Sequence, residues 1–302
     1  MDKRAILKKV KEVYSQNQNM MLYLNENTHR NSVEDIMISY DFQAGEIAAD
    51  FLAGGESSRR VANKISELLV VSNELGIVFE GNVLEAGVGD GTFLTQLINE
   101  TNIKEGYGFD ISWSRVIAGM NYSKQMGLDN LHLFQADLFN IPLADNSMDI
   151  VYTVEAVQLN TDREKEILEE LYRVSGEYLI LLEASYDLGT EVAKKHMEEH
   201  GYSKRIYSSV KELGYDVLYY DLLSEKCCPE SDPEALLIIK KNKKTELSQG
   251  QSVWRDPVTG AELSEYNDSF WSRPSMLAYP KIKGIPVLLE SNAVVATKYE
   301  KY

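Results

Sequence analysis

The chain has 302 residues, with 31 Lys and Arg against 47 Asp and Glu, and a formal net charge of −16 at pH 7. Hydrophobic residues make up 44% and charged residues 26%, as in ordinary globular proteins, which excludes a disordered or collagen-like chain. The excess of acid argues against nucleic acid and against an anionic membrane as partners, because both are bound through Lys and Arg. We therefore expect a small-molecule substrate.

Cysteine usage and the absence of long apolar stretches predict a cytoplasmic protein. Cys227 and Cys228 are neighbours, too few and too close for a disulfide framework or a four-thiolate metal site. The first thirty residues lack the apolar run of a signal peptide, and the chain contains no stretch of 18 apolar residues.

The order of predicted elements indicates an α/β fold, a doubly wound and mostly parallel sheet. Residues 1–76 show the period of amphipathic helices and are predicted to be a helical lead-in or lid, with one helix starting near Asn31. From Asn82 onward, short apolar strands alternate with helices, one of them preceded by a capping box at Thr161–Glu164. The predicted strands lie near 82–86, 106–111, 131–135, 148–153, 176–184, 215–222 and 234–240.

The last two predicted strands are joined by a short loop, so we expect them to be antiparallel, since parallel neighbours need a longer crossover. The predicted main domain is 77–241. Residues 242–253 are polar and aperiodic and are predicted to be a linker. Residues 254–302 then form a separate small β-rich unit.

A glycine loop follows the first predicted strand, with Gly87, Gly89 and Gly91 at alternate positions. Such glycines let the backbone turn tightly and approach a ligand closely. A dinucleotide site prefers Gly-x-Gly-x-x-Gly beside a pyrophosphate, and here Thr92 stands at the third glycine position. Glu85 would repel a diphosphate and attract an ammonium group. The alternative is that these are only turn glycines.

Two further acids, Asp110 and Asp137, end the second and third predicted strands. Ligands of open α/β sheets bind at that edge, and an acid at the end of the second strand accepts hydrogen bonds from ribose hydroxyls. Either acid alone is more often a helix cap or a solvated loop residue. Together with Glu85 and the glycine loop, they indicate a nucleoside site.

In these motifs, residues 80–240 resemble the class I S-adenosylmethionine-dependent methyltransferases. The resemblance implies a seven-stranded sheet and S-adenosyl-L-methionine as cofactor. It does not name the methyl acceptor, because this fold supports many substrates. The implied contacts are Glu85, Gly87, Gly89 and Gly91 for the methionine part, Asp110 for the ribose, and Asp137, Ile111 and Leu138 for the adenine.

Three more residues are candidates around the acceptor and the cofactor. Glu155 follows the fourth strand, facing the departing methyl group in enzymes of this family, many of which carry a His there. A carboxylate is a suitable base if burial raises its pKa, but it can equally cap a helix or bind substrate. Glu183 ends the fifth strand and is a second catalytic candidate. Tyr40 is expected to close over the cofactor carboxylate, although an aromatic in a helix is more often core.

Residues 254–302 resemble the small zinc-ribbon domain that accompanies or activates some methyltransferases, in the segments 278–280 and 284–289. At its four cysteine positions stand Asp256, Thr259, Ser272 and Ser275. Zinc favours thiolate and imidazole, so we predict a ribbon without metal and no metal site elsewhere. Its expected role is a docking surface or a homodimer contact. The lead-in is the other expected homodimer contact.

Three functions stay open. The first is transfer of a methyl group to a small molecule, such as a sugar, a lipid precursor or a natural-product intermediate, at oxygen or nitrogen. The second is methylation of a protein or RNA, suggested by the ribbon and disfavoured for RNA by the charge of −16. The third is a non-catalytic cofactor-binding scaffold, disfavoured by the complete set of cofactor-site residues.

Overall fold

The computed structural model describes residues 3–25, 30–229, 232–241 and 252–301. Helices precede the sheet, and one begins as the sequence indicates: the Ser32 hydroxyl accepts from the Asp35 N–H, and the Asp35 carboxylate accepts from the Ser32 N–H. These lead-in helices are α1 (Lys3–Ser15), α2 (Met20–Leu24), α3 (Val33–Phe42), α4 (Glu46–Leu52) and α5 (Glu56–Glu74).

A seven-stranded sheet confirms the predicted fold. The strands are β1 (Glu80–Ala86), β2 (Asn102–Asp110), β3 (Leu131–Gln135), β4 (Met148–Val154), β5 (Ser175–Ala184), β6 (Asp216–Leu222) and β7 (Glu234–Lys240). Their spatial order is β3-β2-β1-β4-β5-β7-β6. Strands β1 to β5 pair in parallel, and β7 runs antiparallel to both β5 and β6. Helices α6 (Thr92–Glu100), α7 (Trp113–Gln125), α8 (Glu164–Val174), α9 (Glu191–His200) and α10 (Ile206–Glu212) complete this part of the chain.

Apolar side chains cover both faces of the sheet. On β4, Ile150 belongs to one buried cluster and its neighbour Val151 belongs to the other. Leu179 and Ile180 on β5 divide in the same way. Because successive strand residues point to opposite faces, a strand buried on both sides is a continuous apolar run, which made these strands recognisable.

The predicted N-terminal cap of α8 is wrong. The expected capping box at Thr161–Glu164 is not formed, because α8 begins at Glu164 itself and has no side-chain cap. Thr161 instead donates its hydroxyl hydrogen to the carbonyl oxygen of Gly201. Thr161 therefore ties the loop before α8 to the end of α9.

The C-terminal residues form a second, antiparallel sheet that packs on the edge of the first. Leu288 N–H donates to the Gln135 carbonyl on edge strand β3, at 2.8 Å. Trp254 meets Phe134 edge to face, with ring centroids 4.9 Å apart. The unit thus shares the main core and covers an edge that would otherwise expose unpaired backbone groups. Its strands are β8 (Ser264–Glu265), β9 (Ser269–Ser272), β10 (Leu277–Ile282), β11 (Ile285–Pro286) and β12 (Val294–Val295).

The predicted linker and the predicted absence of a membrane-spanning segment can also be compared with the structure. Residues 242–251 of the predicted linker lie outside the described residues. In the part of the chain that the structure describes, no helix is both long enough and apolar enough to cross a bilayer.

Candidate functional site

A cavity of about 310 Å³ lies at the carboxyl ends of β1 to β4, covered by the lead-in helices α3 to α5. Because β2 and β4 flank β1 on opposite sides, this is the crevice where open α/β sheets bind ligands. Most of the residues predicted from the sequence meet here. Those lining the cavity are Tyr40, Glu85, Gly87, Gly89, Asp110, Ile111, Asp137, Leu138 and Glu155.

The glycine loop has two different tasks. Gly87 and Gly89 line the cavity at φ of +82° and +51°, where other residues are strained. Gly91 lies outside the cavity lining, and a Cβ on it would come within 3.2 Å of the Gly119 Cα on α7. Gly91 thus allows the start of α6 to approach α7, and its predicted ligand contact stays a prediction.

Glu85 is a buried carboxyl at the base of the cavity. Its Oε2 accepts a hydrogen bond of 3.0 Å from the Tyr152 hydroxyl. Burial raises the pKa of Glu85 to about 8, although Tyr152 and the Leu94 N–H act to lower it. A cationic ligand group beside Glu85 would favour its ionised form.

Asp110 and Asp137 line the part of the cavity nearest β2 and β3. Asp110 accepts from the Gly89 N–H at 3.0 Å and from the Ser112 N–H at 2.8 Å, so it also fixes the glycine loop. Asp137 accepts from the Phe139 N–H at 3.1 Å. Burial raises the pKa of both carboxyls above the ordinary value. Both are acceptors placed for a ligand that brings hydroxyl or amino donors.

Arg115 is a cavity residue that the sequence analysis missed. It lies on α7, is 8% exposed, and its guanidinium stands over the Tyr40 ring, 4.7 Å from the centroid. Its Nε donates to the Tyr40 carbonyl, and none of the salt bridges of the described residues involves it. Burial raises the pKa of Tyr40 to about 12, so its hydroxyl remains protonated. Nothing in the sequence around this helical arginine indicates that it lines a cavity.

Two aspartates hold the lead-in against the sheet domain, in opposite directions. Asp41, on α3, accepts from Ser112 and Ser114 at the start of α7, over 2.8–3.0 Å. Asp90, in the glycine loop, accepts from backbone N–H groups at the start of α4, over 3.0–3.2 Å. Carboxylates at helix N-termini are favourable partners for the free N–H groups there. The lead-in therefore caps helix α7 through Asp41, and the glycine loop caps helix α4 of the lead-in through Asp90.

Glu155 lines the cavity in the loop after β4, but its surroundings do not suit a base. Its Oε1 lies 2.5 Å from the Lys64 ammonium, which also lies 2.8 Å from the buried carboxylate of Glu234. Burial raises the pKa of Glu155, but Lys64 outweighs this effect and holds the pKa below its ordinary value. This direction is opposite to the raised pKa on which the predicted role of Glu155 as a base depends, and that role stays a prediction.

Glu183 lies outside the cavity lining, which argues against the predicted catalytic contact. The buried carboxylate accepts from the Thr153 hydroxyl at 2.6 Å and from three consecutive backbone N–H groups, Ala156 to Gln158, at 3.0–3.1 Å. These donors occupy both of its oxygens. Glu183 therefore fixes the loop that carries Glu155. Its catalytic role stays a prediction that this arrangement does not favour.

Comparison with known proteins agrees with this geometry. Residues 83–176 match the family described as a methyltransferase domain. This part of the chain is therefore similar to methyltransferase domains. The matched segment runs from β1 to the start of β5 and includes the glycine loop, Asp110, Asp137 and Glu155.

Two curated relatives are similar to a longer part of the chain. The chain is 26% identical over 170 residues to malonyl-[acyl-carrier protein] O-methyltransferase from Marinomonas sp. (strain MWYL1), covering 53% of this chain and 62% of that protein. It is 26% identical over 193 residues to sterol 24-C-methyltransferase ERG6B from Gibberella zeae, covering 57% and 48%. The chain thus spans less than two thirds of either relative.

A solved structure shares its fold with most of this chain. The [4+2]-cyclase SpnF superposes with a TM-score of 0.55 and 14% identity, over 70% of this chain and 97% of that chain. At that identity the likeness concerns the fold alone.

Proposed function

We propose that this chain is an enzyme that transfers a methyl group from S-adenosyl-L-methionine to a small molecule. The observation that carries the proposal is the set of acids lining one cavity beside the close-approach glycines. Glu85, Asp110 and Asp137 lie at the ends of three adjacent strands. Their carboxyl groups complement the cofactor's ammonium, ribose hydroxyls and adenine amino group, in that order.

The same acids argue against a dinucleotide. Glu85, Asp90, Asp110 and Asp137 all line the cavity, and Arg115 and Lys64 are the cations among the described lining residues. Lys64 is already paired with two carboxylates. A diphosphate brings only negative charge and hydrogen-bond acceptors, and these carboxyl groups repel it whenever they are ionised. A sulfonium nucleoside with one ammonium and one carboxylate fits the charges better.

Arg115 supplies a place for the carboxylate of the cofactor's methionine part. Its guanidinium lines the cavity beside the glycine loop, since a Cβ on Gly89 would lie 2.9 Å from an Arg115 terminal nitrogen. A guanidinium binds a carboxylate through parallel hydrogen bonds. Tyr40 stacks on Arg115 and orients it, so we propose that Tyr40 serves the cofactor carboxylate indirectly.

The acceptor end of the cavity favours a small molecule with an apolar body. Side chains of the lead-in and of the loop after β4 that line it include the apolar Val33, Ile36, Val61 and Leu159 and the polar Lys64, Glu155 and Asn160. Oxygen or nitrogen is the proposed atom of transfer. The names of the two curated relatives, which act on malonyl-[acyl-carrier protein] and a sterol, support a metabolite as substrate.

The mechanism that follows is a direct displacement. S-adenosylmethionine supplies an electrophilic methyl carbon on a positively charged sulfur. The protein contributes alignment and exclusion of water, since charge on sulfur is lost in the transition state. The lead-in helices cover the cavity, and Glu183 and Lys64 fix Glu155 at its rim. We propose that Glu155 orients an acceptor that reacts as an anion or as a neutral amine, so that any proton is lost to solvent and not to Glu155.

We propose that the C-terminal unit is a metal-free counterpart of a zinc ribbon. Asp256, at the first cysteine position, is buried and accepts from the hydroxyls of Thr259 and Ser272, each at 2.6 Å. The Tyr279 hydroxyl donates to its other oxygen at 2.7 Å. This hydrogen-bond hub supports the proposal that a carboxylate replaces the metal as the centre of the unit.

Calorimetric titration tests the proposed cofactor. Wild-type protein should bind S-adenosylmethionine and S-adenosylhomocysteine, and Asp110→Ala should weaken both at least tenfold, because a carboxylate contributes about 1.5–3 kcal/mol through charge-assisted hydrogen bonds. Glu198→Ala is a matched control, since Glu198 is an exposed acid on α9 outside the cavity lining. Heat only with a nicotinamide dinucleotide, or unchanged affinity in Asp110→Ala, would overturn the assignment.

A further inference from the structure

A second cavity, of about 490 Å³, adjoins the first one on the side of the lead-in. It lies between helices α1, α2 and α3 and the end of α9, and we call it the lead-in cleft. Tyr40, Gln43 and Leu159 line both the first cavity and the lead-in cleft. Leu159 also belongs to the acceptor end of the first cavity. The lead-in cleft is therefore one side chain away from a molecule held at the acceptor end.

Amides are the most frequent side chains in the wall of the lead-in cleft. The five that line it are Asn17, Gln18, Asn19, Asn31 and Gln43. An amide group both donates and accepts hydrogen bonds, as an alcohol hydroxyl does. Within the described residues, the side-chain hydrogen bonds of Gln43 run from Nε2 to Ser39, which leaves Oε1 as an acceptor. Such a wall suits a ligand with several hydroxyl groups.

Two tyrosine hydroxyls in the lead-in cleft, those of Tyr40 and Tyr202, have no hydrogen-bond partner among the described residues. Burial raises the pKa of both phenols, to about 12 for Tyr40, so both hydroxyls remain protonated and can donate. A tyrosine hydroxyl in a buried place usually finds a partner. A ligand hydroxyl in the lead-in cleft would supply one. The tyrosine rings also offer apolar faces, which match the C–H faces of a sugar ring.

The charges around the lead-in cleft favour a neutral ligand. No Lys or Arg occurs among the described residues that line it. A phosphate or carboxylate on the ligand would therefore lack the cation that usually binds it. The carboxylate of Glu46 accepts from the Tyr14 hydroxyl, so it already has a donor. His200 also lines the cleft, with its Nδ1 donating to the His196 carbonyl at 2.9 Å.

We propose that the methyl acceptor is a neutral glycoside, whose apolar body lies at the acceptor end of the first cavity while its sugar group binds in the lead-in cleft. This inference rests on the proposed function. The apolar body meets Val33, Ile36 and Val61, and the sugar hydroxyls meet the amides and the phenol of Tyr202. The sugar is the group that is recognised, and the methyl group goes to an oxygen or nitrogen atom of the body. Tyr202 is then a specificity-determining residue.

Calorimetric titration with octyl compounds tests the proposed acceptor class. Wild-type protein is first saturated with S-adenosylhomocysteine. The probes are octyl β-D-glucopyranoside, octyl β-D-galactopyranoside, 1-octanol and octyl phosphate, which share one apolar chain. We expect the tighter glycoside to bind at least tenfold more tightly than 1-octanol and octyl phosphate, because its hydroxyls form several hydrogen bonds in the lead-in cleft. Any smaller preference, including no binding of either glycoside, would overturn the inference.

The variant Tyr202→Phe tests the lead-in cleft itself. It removes a hydroxyl without a partner in the described part of the chain, so the fold should be kept. We expect the tighter glycoside to lose at least threefold in affinity and 1-octanol less than twofold. Tyr23→Phe is the matched control, since Tyr23 is an exposed tyrosine on α2 that lines neither cavity, and it should change both affinities less than twofold. A smaller loss for the glycoside in Tyr202→Phe, or an equal loss for 1-octanol, would overturn the inference.

Binding of S-adenosylhomocysteine separates this inference from the proposed function. If wild type does not bind S-adenosylhomocysteine in the first titration, the proposed function fails and the inference fails with it. If S-adenosylhomocysteine binds and neither glycoside is preferred, only the proposed acceptor class fails. If Tyr202→Phe does not fold, the comparison of the four probes in wild type still decides.

Discussion

Lys64 and Glu155 form an ion pair of 2.5 Å that joins α5 of the lead-in to the loop after β4. Lys64 is also 2.8 Å from Glu234 on β7, and both of these side chains are only 6% exposed. Glu155 has a positive φ of +55°, which is unusual for a glutamate and needs support from its surroundings. Lys64 thus holds a strained loop residue at the cavity rim. It also contacts Glu234, whose pKa burial raises well above the ordinary value despite Lys64.

Replacing Glu155 by Gln should reduce turnover less than tenfold. Loss of a general base lowers rates by about 10²–10⁴, whereas Glu155 is paired with Lys64 and its pKa is held below the ordinary value. Steady-state kinetics with an identified acceptor measures the effect. A fall of a hundredfold, with the pH profile flattened, would restore Glu155 as the base.

Lys64→Met should destabilise the protein by about 3 kcal/mol, because Glu155 and the buried Glu234 would lose the cation that they share. Chemical denaturation measures the free energy of unfolding. The double variant Lys64→Met/Glu234→Leu removes both buried charges and should recover part of the loss. If Lys64→Met is as stable as wild type, the contacts of Lys64 with Glu155 and Glu234 do not support the fold.

Glu85 should make the ligand-free protein less stable as the pH rises. Burial raises its pKa in the folded chain to about 8, above the ordinary 4.5. The folded state therefore holds the proton more tightly, so this stabilisation is complete below about pH 4.5 and is lost as the pH rises through 8. Relative to wild type, Glu85→Gln should gain stability steadily between pH 5 and 8 in urea unfolding. A stability difference that stays constant over this range would contradict the raised pKa.

Asp256 should make the protein more stable as the pH rises, which is opposite to the effect of Glu85. Burial raises its pKa, but hydrogen bonds from Ser272, Thr259 and Tyr279 outweigh it and hold the pKa below its ordinary value. Its stabilisation is therefore present above about pH 4 and is lost as the pH falls through the folded pKa. Asp256→Ala should cost about 3 kcal/mol at pH 7, and Thr259→Val about 1 kcal/mol. Equal small effects of both variants would contradict a hub centred on Asp256.

Elemental analysis of the purified protein should find no stoichiometric zinc. The hydroxyls of Thr259 and Ser272 already donate to Asp256, and hydroxyl oxygens are poor zinc ligands. Within the described residues, no group of three or more His, Cys, Asp and Glu is arranged to hold a metal. One zinc per chain, lost together with the C-terminal fold on chelation, would refute the metal-free proposal.

The sequence predicted the sheet and the residues at its strand ends because both depend on local pattern. Apolar runs mark strands buried on both faces, and Asp110 and Asp137 follow such runs directly. The roles of Asp90 and Arg115 depend instead on where the lead-in packs, since Asp90 contacts residues more than 40 positions earlier in the chain. No local signal encodes such a contact.

Glu183 shows that a position predicted correctly from the sequence does not reveal which group the side chain contacts. It ends a strand at the correct edge of the sheet, as an active-site acid would, yet its carboxylate turns to the backbone N–H groups of a neighbouring loop. Sequence places a residue at an edge but does not decide between a ligand and the protein's own donors. In the same way, Gly91 belongs to the motif but serves the contact with Gly119.

A crystal structure with S-adenosylhomocysteine tests the central claim most directly. We expect its nucleoside in the cavity, with the ribose at Asp110 and the adenine near Asp137 and Leu138, and the amino acid part at the glycine loop. A fully occupied compound at another place in the structure, with this cavity empty, would contradict the account.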